Sequence, residues 1–287
     1  LGSLSAKKNI VLNFGNSGTL ARLLIGILST TPNINLIMTG DKSLRKRKMS
    51  KLINLMSEFG ASFKNNKSFL PFNLISSDMP VGINYKSGTS AQLKSAVILA
   101  GLNSFGSTNI EENSRSQSRN HTENLLLKSY GVIKVEKENI KIFGKKPLEP
   151  LNLTIPGDPS SAAFFSALTI FTNKSNLKIK NVCLNKRRLG FYNLLKKHGA
   201  NIKFRKVKKN FGETTGDLHI SSSKVRPLKA SAEYYPSTTD EYVILIVCAA
   251  MIPGVSIFKG ISDLSNKESS RALEMKKILK QIGVKCI

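Results

Sequence analysis

Four stretches of the chain set small polar residues directly ahead of a long apolar run: GNSGTLARLLIGILS from Gly15, GTSAQLKSAVILAGL from Gly88, GDPSSAAFFSALTIF from Gly157 and STTDEYVILIVCAAM from Ser237. A polar side chain of this size accepts a hydrogen bond from the open amides of a helix start, and an apolar run this long reads as a buried helix. Four others, LINLMSEFGASF, NLLLKSYGVIKV, NLLKKHGANIKF and MKKILKQIGVKC, carry a helical pattern into a glycine and then a strand-like run. Gly60, Gly131, Gly199 and Gly283 stand where a left-handed residue stops a helix. The two sets alternate at a spacing of roughly seventy residues, longer in the last copy, so each copy is expected to be a β-α-β-α-β unit. The fold class that follows is α/β with internal pseudo-symmetry.

A chain of 287 residues, 40% hydrophobic, has enough apolar material for two cores. Its longest wholly apolar run, Val243 to Ile252, is half of what a membrane helix needs, and no signal-peptide pattern opens the chain. A soluble, cytoplasmic protein without a membrane partner is expected. Cys183, Cys248 and Cys286 are widely spaced, and the histidines are His121, His198 and His219. That set suggests neither disulfides nor a metal site, and no cofactor is expected.

Charge changes the picture. Lys and Arg number 44 against 18 Asp and Glu, a net +26 that draws in small anions, nucleic acids and anionic surfaces alike. No nucleic-acid motif focuses that field, so no specific nucleic-acid partner is expected. A basic nucleic-acid-binding module stays open as an alternative function. The first repeat offers a more local reading: the amides of a helix start in Asn16 to Thr19 can cradle phosphate or carboxylate, or simply be capped.

Read together, the motifs resemble the 5-enolpyruvylshikimate-3-phosphate synthase family. GNSGTLARLL is similar to its GN-[SA]-GT-x-x-R motif, TGDKSLRKRKM to TGD-x-S-L-x-x-RPM, and SAQLKSAVILAGL to S-A-Q-x-K-S-A. SRNHTENLL, IPGDPSSAAFF, DEYVILIVCAA and NKESSRALEM then match SRDHTE, PGD-x-SSAAFF, DE-x-x-x-L and VKESDR in the same order. The resemblance implies an inside-out α/β architecture of two domains closing over their substrates. It divides the chain into partial domains 1–155 and 156–287. It implies a monomeric shikimate-pathway enzyme, target of glyphosate, that moves the enolpyruvyl group of phosphoenolpyruvate to the 5-hydroxyl of shikimate 3-phosphate, releasing phosphate. The related UDP-N-acetylglucosamine enolpyruvyl transferase is a second reading.

By the same resemblance, Gly18, Arg47, Gln92 and Arg271 bind phosphoenolpyruvate, and Ser90, Ala91, Gln92, Ser118, Asp240 and Lys267 bind shikimate 3-phosphate. Asp240 accepts the proton of the reacting hydroxyl, Glu268 transfers a proton at the methylene carbon, and Lys267 completes the catalytic group. Without the resemblance, Asp240 reads as a helix N-cap, KSLRKRK as a solvated basic loop and His121 as a structural residue. Lys42, Lys46 and Lys48 keep that solvated reading. The chain departs from the family at Lys48, where proline is usual, and at Ser265, Asn266 and Ser270 beside the Lys267–Arg271 turn. It begins at Leu1 and stops shortly after the fourth helix–glycine, from which a central fragment, inactive alone, is expected.

Overall fold

A computed structural model of the chain describes residues 10–65, 68–114, 117–210, 212–266 and 270–286. They fall into two compact units, Leu1–Pro150 and Leu151–Ile287. The expected division at 155/156 falls a few residues later, within the stretch 151–156 that has no regular secondary structure.

The first unit contains the same motif twice. One copy runs β1 (Val11–Asn13), α1 (Gly18–Ser29), β2 (Asn35–Thr39), α2 (Ser50–Glu58), β3 (Ser62–Lys64) and β4 (Phe72–Ile75). The next runs β5 (Asn84–Ser87), α3 (Ala91–Leu102), β6 (Ser107–Glu112), α4 (His121–Leu126), β7 (Ile133–Glu136) and β8 (Asn139–Phe143). The sheets are ordered β1-β2-β4-β3 and β5-β6-β8-β7. In each, the first pair is parallel, with Val11 opposite Ile37 and Tyr85 opposite Ile110, and the remaining pairs are antiparallel. Each copy therefore has one strand more than the expected β-α-β-α-β pattern, because its second helix is followed by a hairpin.

The second unit repeats the order with α5 (Pro159–Phe171), β9 (Asn176–Cys183), α6 (Gly190–Lys197), β10 (Asn201–Asn210) and β11 (Glu213–Ser221). Its first strand is reduced to one parallel bridge from Gly157 to Val182, and β11 lies between β10 and β9. The fourth copy shows the parallel pair β12 (Lys229–Ala230) and β13 (Ile257–Phe258). Between them lie α7 (Tyr235–Thr238) and α8 (Tyr242–Ala250), and α9 (Arg271–Gln281) follows.

In the first unit α1 and α3 lie inside and the sheets outside. Along α3, Lys94 to Ile98, Ala100 and Gly101 are buried, whereas β8 alternates between buried and exposed positions. An apolar run without a polar stripe must be enclosed all round, while a sheet can leave one face to solvent. The two inner helices cross closely: a Cβ at Gly26 of α1 would stand 2.5 Å from the Ala96 carbonyl oxygen of α3 and 2.9 Å from its Cα. All four expected stop glycines have positive φ. Three directly follow the cap residue of a helix; Gly131 instead lies in a turn beyond α4, which already ends at Leu126.

Candidate functional site

In the first unit the groups converge on the start of α1. Ser17, in extended backbone, caps the helix by accepting the Leu20 N–H at 3.1 Å. That leaves Gly18 as the first helical residue, buried beneath two guanidinium groups. A Cβ there would overlap the Arg47 guanidinium and lie 2.8 Å from Arg22 Nη1, which donates to the Gly18 carbonyl over 3.0 Å. Glycine leaves the two arginines the space that a side chain would take.

Arg47 is placed by the turn before it. Asp41 accepts the Leu44 N–H at 2.7 Å and starts a short 3-10 turn, Leu44–Lys46, which Arg47 terminates in extended backbone. The same turn sorts the basic run. Arg45 braces the backbone, with Nε on the Gly40 carbonyl (2.8 Å) and Nη2 on Thr39 Oγ1 (3.0 Å). Lys42, Lys46 and Lys48 are exposed, as their solvated reading expects, and Arg47 is half-buried.

The start of α3 meets the start of α1. Ser90 caps α3 by accepting the Leu93 N–H at 3.4 Å, Ala91 is its first residue, and Gln92 Nε2 donates to Thr19 Oγ1 over 2.7 Å. Two residues on, Lys94 has no exposed surface and pairs with Glu112 of β6 at 2.7 Å and Glu123 of α4 at 2.6 Å. Glu112 Oε1 also accepts from Ser118, at 3.2 Å from its amide and 3.4 Å from its hydroxyl. A second tie runs from Ser95 Oγ to Thr122 Oγ1 at 2.8 Å. His121, half-buried, opens α4.

In the second unit, Asp158 caps α5, accepting from the amides of Ser160 (3.2 Å) and Ser161 (3.0 Å). Arg188 Nη2 reaches Asp158 at 2.6 Å and Ser160 Oγ at 2.8 Å, and the Ser160 hydroxyl donates to buried Glu241. Burial works to raise the Asp158 carboxyl, but Ser161, the Arg188 guanidinium and the Ser160 amide together hold it below its ordinary range.

Asp240 is not a helix cap, because α8 starts after Glu241, whose side chain caps nothing. It lies instead 3.8 Å from Arg271 Nη1, where α9 begins. Nearby, Tyr235 donates to Asp263 at 2.9 Å and stacks on Tyr242 with ring centroids 5.5 Å apart. Burial first, then the Asp263 carboxylate, pushes the Tyr235 phenol well up. Lys267 and Glu268 lie outside the described residues.

The model of the EPSP synthase (3-phosphoshikimate 1-carboxyvinyltransferase) family matches residues 1–287. The chain belongs to this family. It is 38% identical over 282 residues to the 3-phosphoshikimate 1-carboxyvinyltransferase of Paramagnetospirillum magneticum, covering 96% of this chain and 62% of that protein. With that of Zymomonas mobilis it shares 37% over 291 residues, 99% of this chain and 63% of the relative. An EPSP synthase structure from Acinetobacter baumannii superposes with a TM-score of 0.81 at 33% identity, over 94% of this chain and 61% of that one. The enolpyruvyl transferase NikO of Streptomyces tendae, at 16% identity and TM-score 0.54, shares the fold. The chain spans about three fifths of the length of these synthase relatives.

Within this EPSP synthase family chain, several structurally placed groups carry no role in the sequence reading. Arg22 and Lys94 sit inside quoted motifs, where an arginine in an apolar run and a lysine in a buried helix are the available signals. Arg188 has none: in the run Lys186-Arg187-Arg188 its neighbours look equivalent, and only the fold turns it onto Asp158.

Proposed function

We propose that the protein of which this chain is part transfers the enolpyruvyl group of phosphoenolpyruvate to the 5-hydroxyl of shikimate 3-phosphate and releases phosphate. Membership of the EPSP synthase family supports the reaction. The observation that carries the site reading is the pair of guanidinium groups, Arg22 and Arg47, over the side-chain-free start of α1 at Gly18. Planar forks beside open helix amides suit a ligand that is both carboxylate and phosphate.

On this reading Gly18, Arg47 and Gln92 bind phosphoenolpyruvate, as does Arg271. Ser90, Ala91, Gln92 and Ser118 hold the phosphate of shikimate 3-phosphate, with Asp240 and Lys267 on its ring. Asp240 accepts the 5-hydroxyl proton as the oxygen bonds to the enol carbon, while the methylene carbon gains a proton from Glu268 and becomes a methyl. The tetrahedral intermediate then expels phosphate as Glu268 takes a proton back from that methyl, which restores the double bond. The substrates are small anions, and the protein is a cytoplasmic monomer; no described helix is long and apolar enough to cross a membrane.

The test is Asp240→Asn in the intact protein. Turnover should fall by roughly 10²–10⁴-fold, the usual contribution of general acid–base catalysis, while shikimate 3-phosphate still binds. Turnover within a few-fold of wild type would remove Asp240 from the proton step.

A further inference from the structure

Lys94 is a costly residue for the middle of an apolar helix, since a buried ammonium is tolerated only when paired. Its two partners come from different elements, Glu112 at the end of β6 and Glu123 in α4, and Ser118 lies in the connection between those elements. The three charged side chains have no more than 3% exposure, so solvent can replace none of these contacts. Glu112 faces two ways. The oxygen held at 2.7 Å by Lys94 is also the acceptor for the Ser118 amide at 3.2 Å and hydroxyl at 3.4 Å.

We propose that Lys94 is a positioning residue for Ser118, acting through Glu112, a role that rests on the reading of Ser118 as a phosphate contact. The ammonium fixes the Glu112 carboxylate, the carboxylate fixes the Ser118 amide, and the long contact to the hydroxyl is weak enough to be given up to a phosphate oxygen. Lys94 also lowers the repulsion that the Glu112 carboxylate beside Ser118 exerts on an anion, offsetting one of the two buried negative charges. Because Lys94 is two residues past Gln92 on α3, one helix sets both Gln92 and, through the buried pair, Ser118.

Removing Lys94 would strand two carboxylates and could unfold the protein, so the decisive variants remove one carboxylate each. Glu112→Met and Glu123→Met both leave Lys94 in a one-to-one pair, but only Glu112→Met takes the acceptor from under Ser118. The affinity of the intact protein for shikimate 3-phosphate, measured calorimetrically, should fall roughly tenfold or more in Glu112→Met, the cost of one misplaced hydrogen-bonding group. In Glu123→Met it should stay within about threefold, a fraction of one such bond. The Glu112→Met loss should also disappear when Ser118→Ala is already present, a coupling that general loosening of the core would not produce.

Equal losses in the two methionine variants, or a Glu112→Met loss that persists in full beside Ser118→Ala, would overturn the proposal. So would a Glu112→Met protein that unfolds while Glu123→Met stays folded, since Glu112 would then serve the core. If Ser118→Ala alone binds shikimate 3-phosphate like wild type, the phosphate reading of Ser118 fails, and the role of Lys94 falls with it.

Discussion

Gln92 Nε2 donates to Thr19 Oγ1 over 2.7 Å, joining the first turns of α3 and α1 by their side chains. The two helices are equivalent members of successive copies and pack along their length, so this bond registers two helix starts against each other. An anion-binding surface made of two helix starts depends on that register.

Gln92→Ala removes the link and, on the proposed function, a ligand contact together. Shikimate 3-phosphate should bind roughly tenfold more weakly or worse, at little cost in stability because the side chain is half-exposed. Calorimetry on the intact protein checks this, and wild-type affinity would take Gln92 out of the phosphate site.

At Gly18 a single methyl meets the Arg47 and Arg22 guanidinium groups before it meets anything else. Both are the ends of flexible side chains, so Gly18→Ala should fold normally and displace Arg47. The longer ligand should lose more: the glyphosate inhibition constant should rise by a larger factor than the KM for phosphoenolpyruvate. Steady-state inhibition of the two proteins decides it, and equal inhibition constants would show that this helix start does not face the ligand.

Lys94→Met tests stability. The variant leaves Glu112 and Glu123 buried without their cation, and breaking a buried pair in this way costs about 3–5 kcal/mol. Urea unfolding should show a loss of that size, whereas a change below about 1 kcal/mol, typical of exposed pairs, would mean that water reaches the triad.

Asp158 gives a pH dependence. Its carboxyl is held below the ordinary value of 3.8 in the folded state, so ionisation favours folding. That contribution is fully present above the unfolded value and is lost as pH falls through the lower, folded one. Thermal unfolding between about pH 5 and 2, the range in which paired carboxylates titrate, should show a shallower acid decline in Asp158→Ala than in wild type. Parallel declines would remove Asp158 as a source of acid sensitivity.

The order of elements was legible in the sequence because it is local. Ser17, Ser90 and Asp158 cap helices where polar residues precede apolar runs, and Gly60, Gly199 and Gly283 stop them with positive φ. A cap or a stop needs only neighbours a few residues away, so residue type and spacing reveal it. The motifs similarly drew attention to Gly18, Arg47 and Gln92 as contacts of one ligand and to Ser90 and Gln92 as contacts of the other, and the structure brings the starts of α1 and α3 together. Which cation in a basic run turns inward was legible only for Arg47, through its motif; that Arg45 braces backbone and that Arg188 reaches Asp158 was not. Nor was the demotion of Asp240 from cap to partner of Arg271. Side-chain direction depends on where a turn ends and on partners far along the chain. The pairing of Lys94 with Glu112 exists only once α3 is enclosed against β6, so the tertiary structure alone decided which charges are buried and what they hold in place.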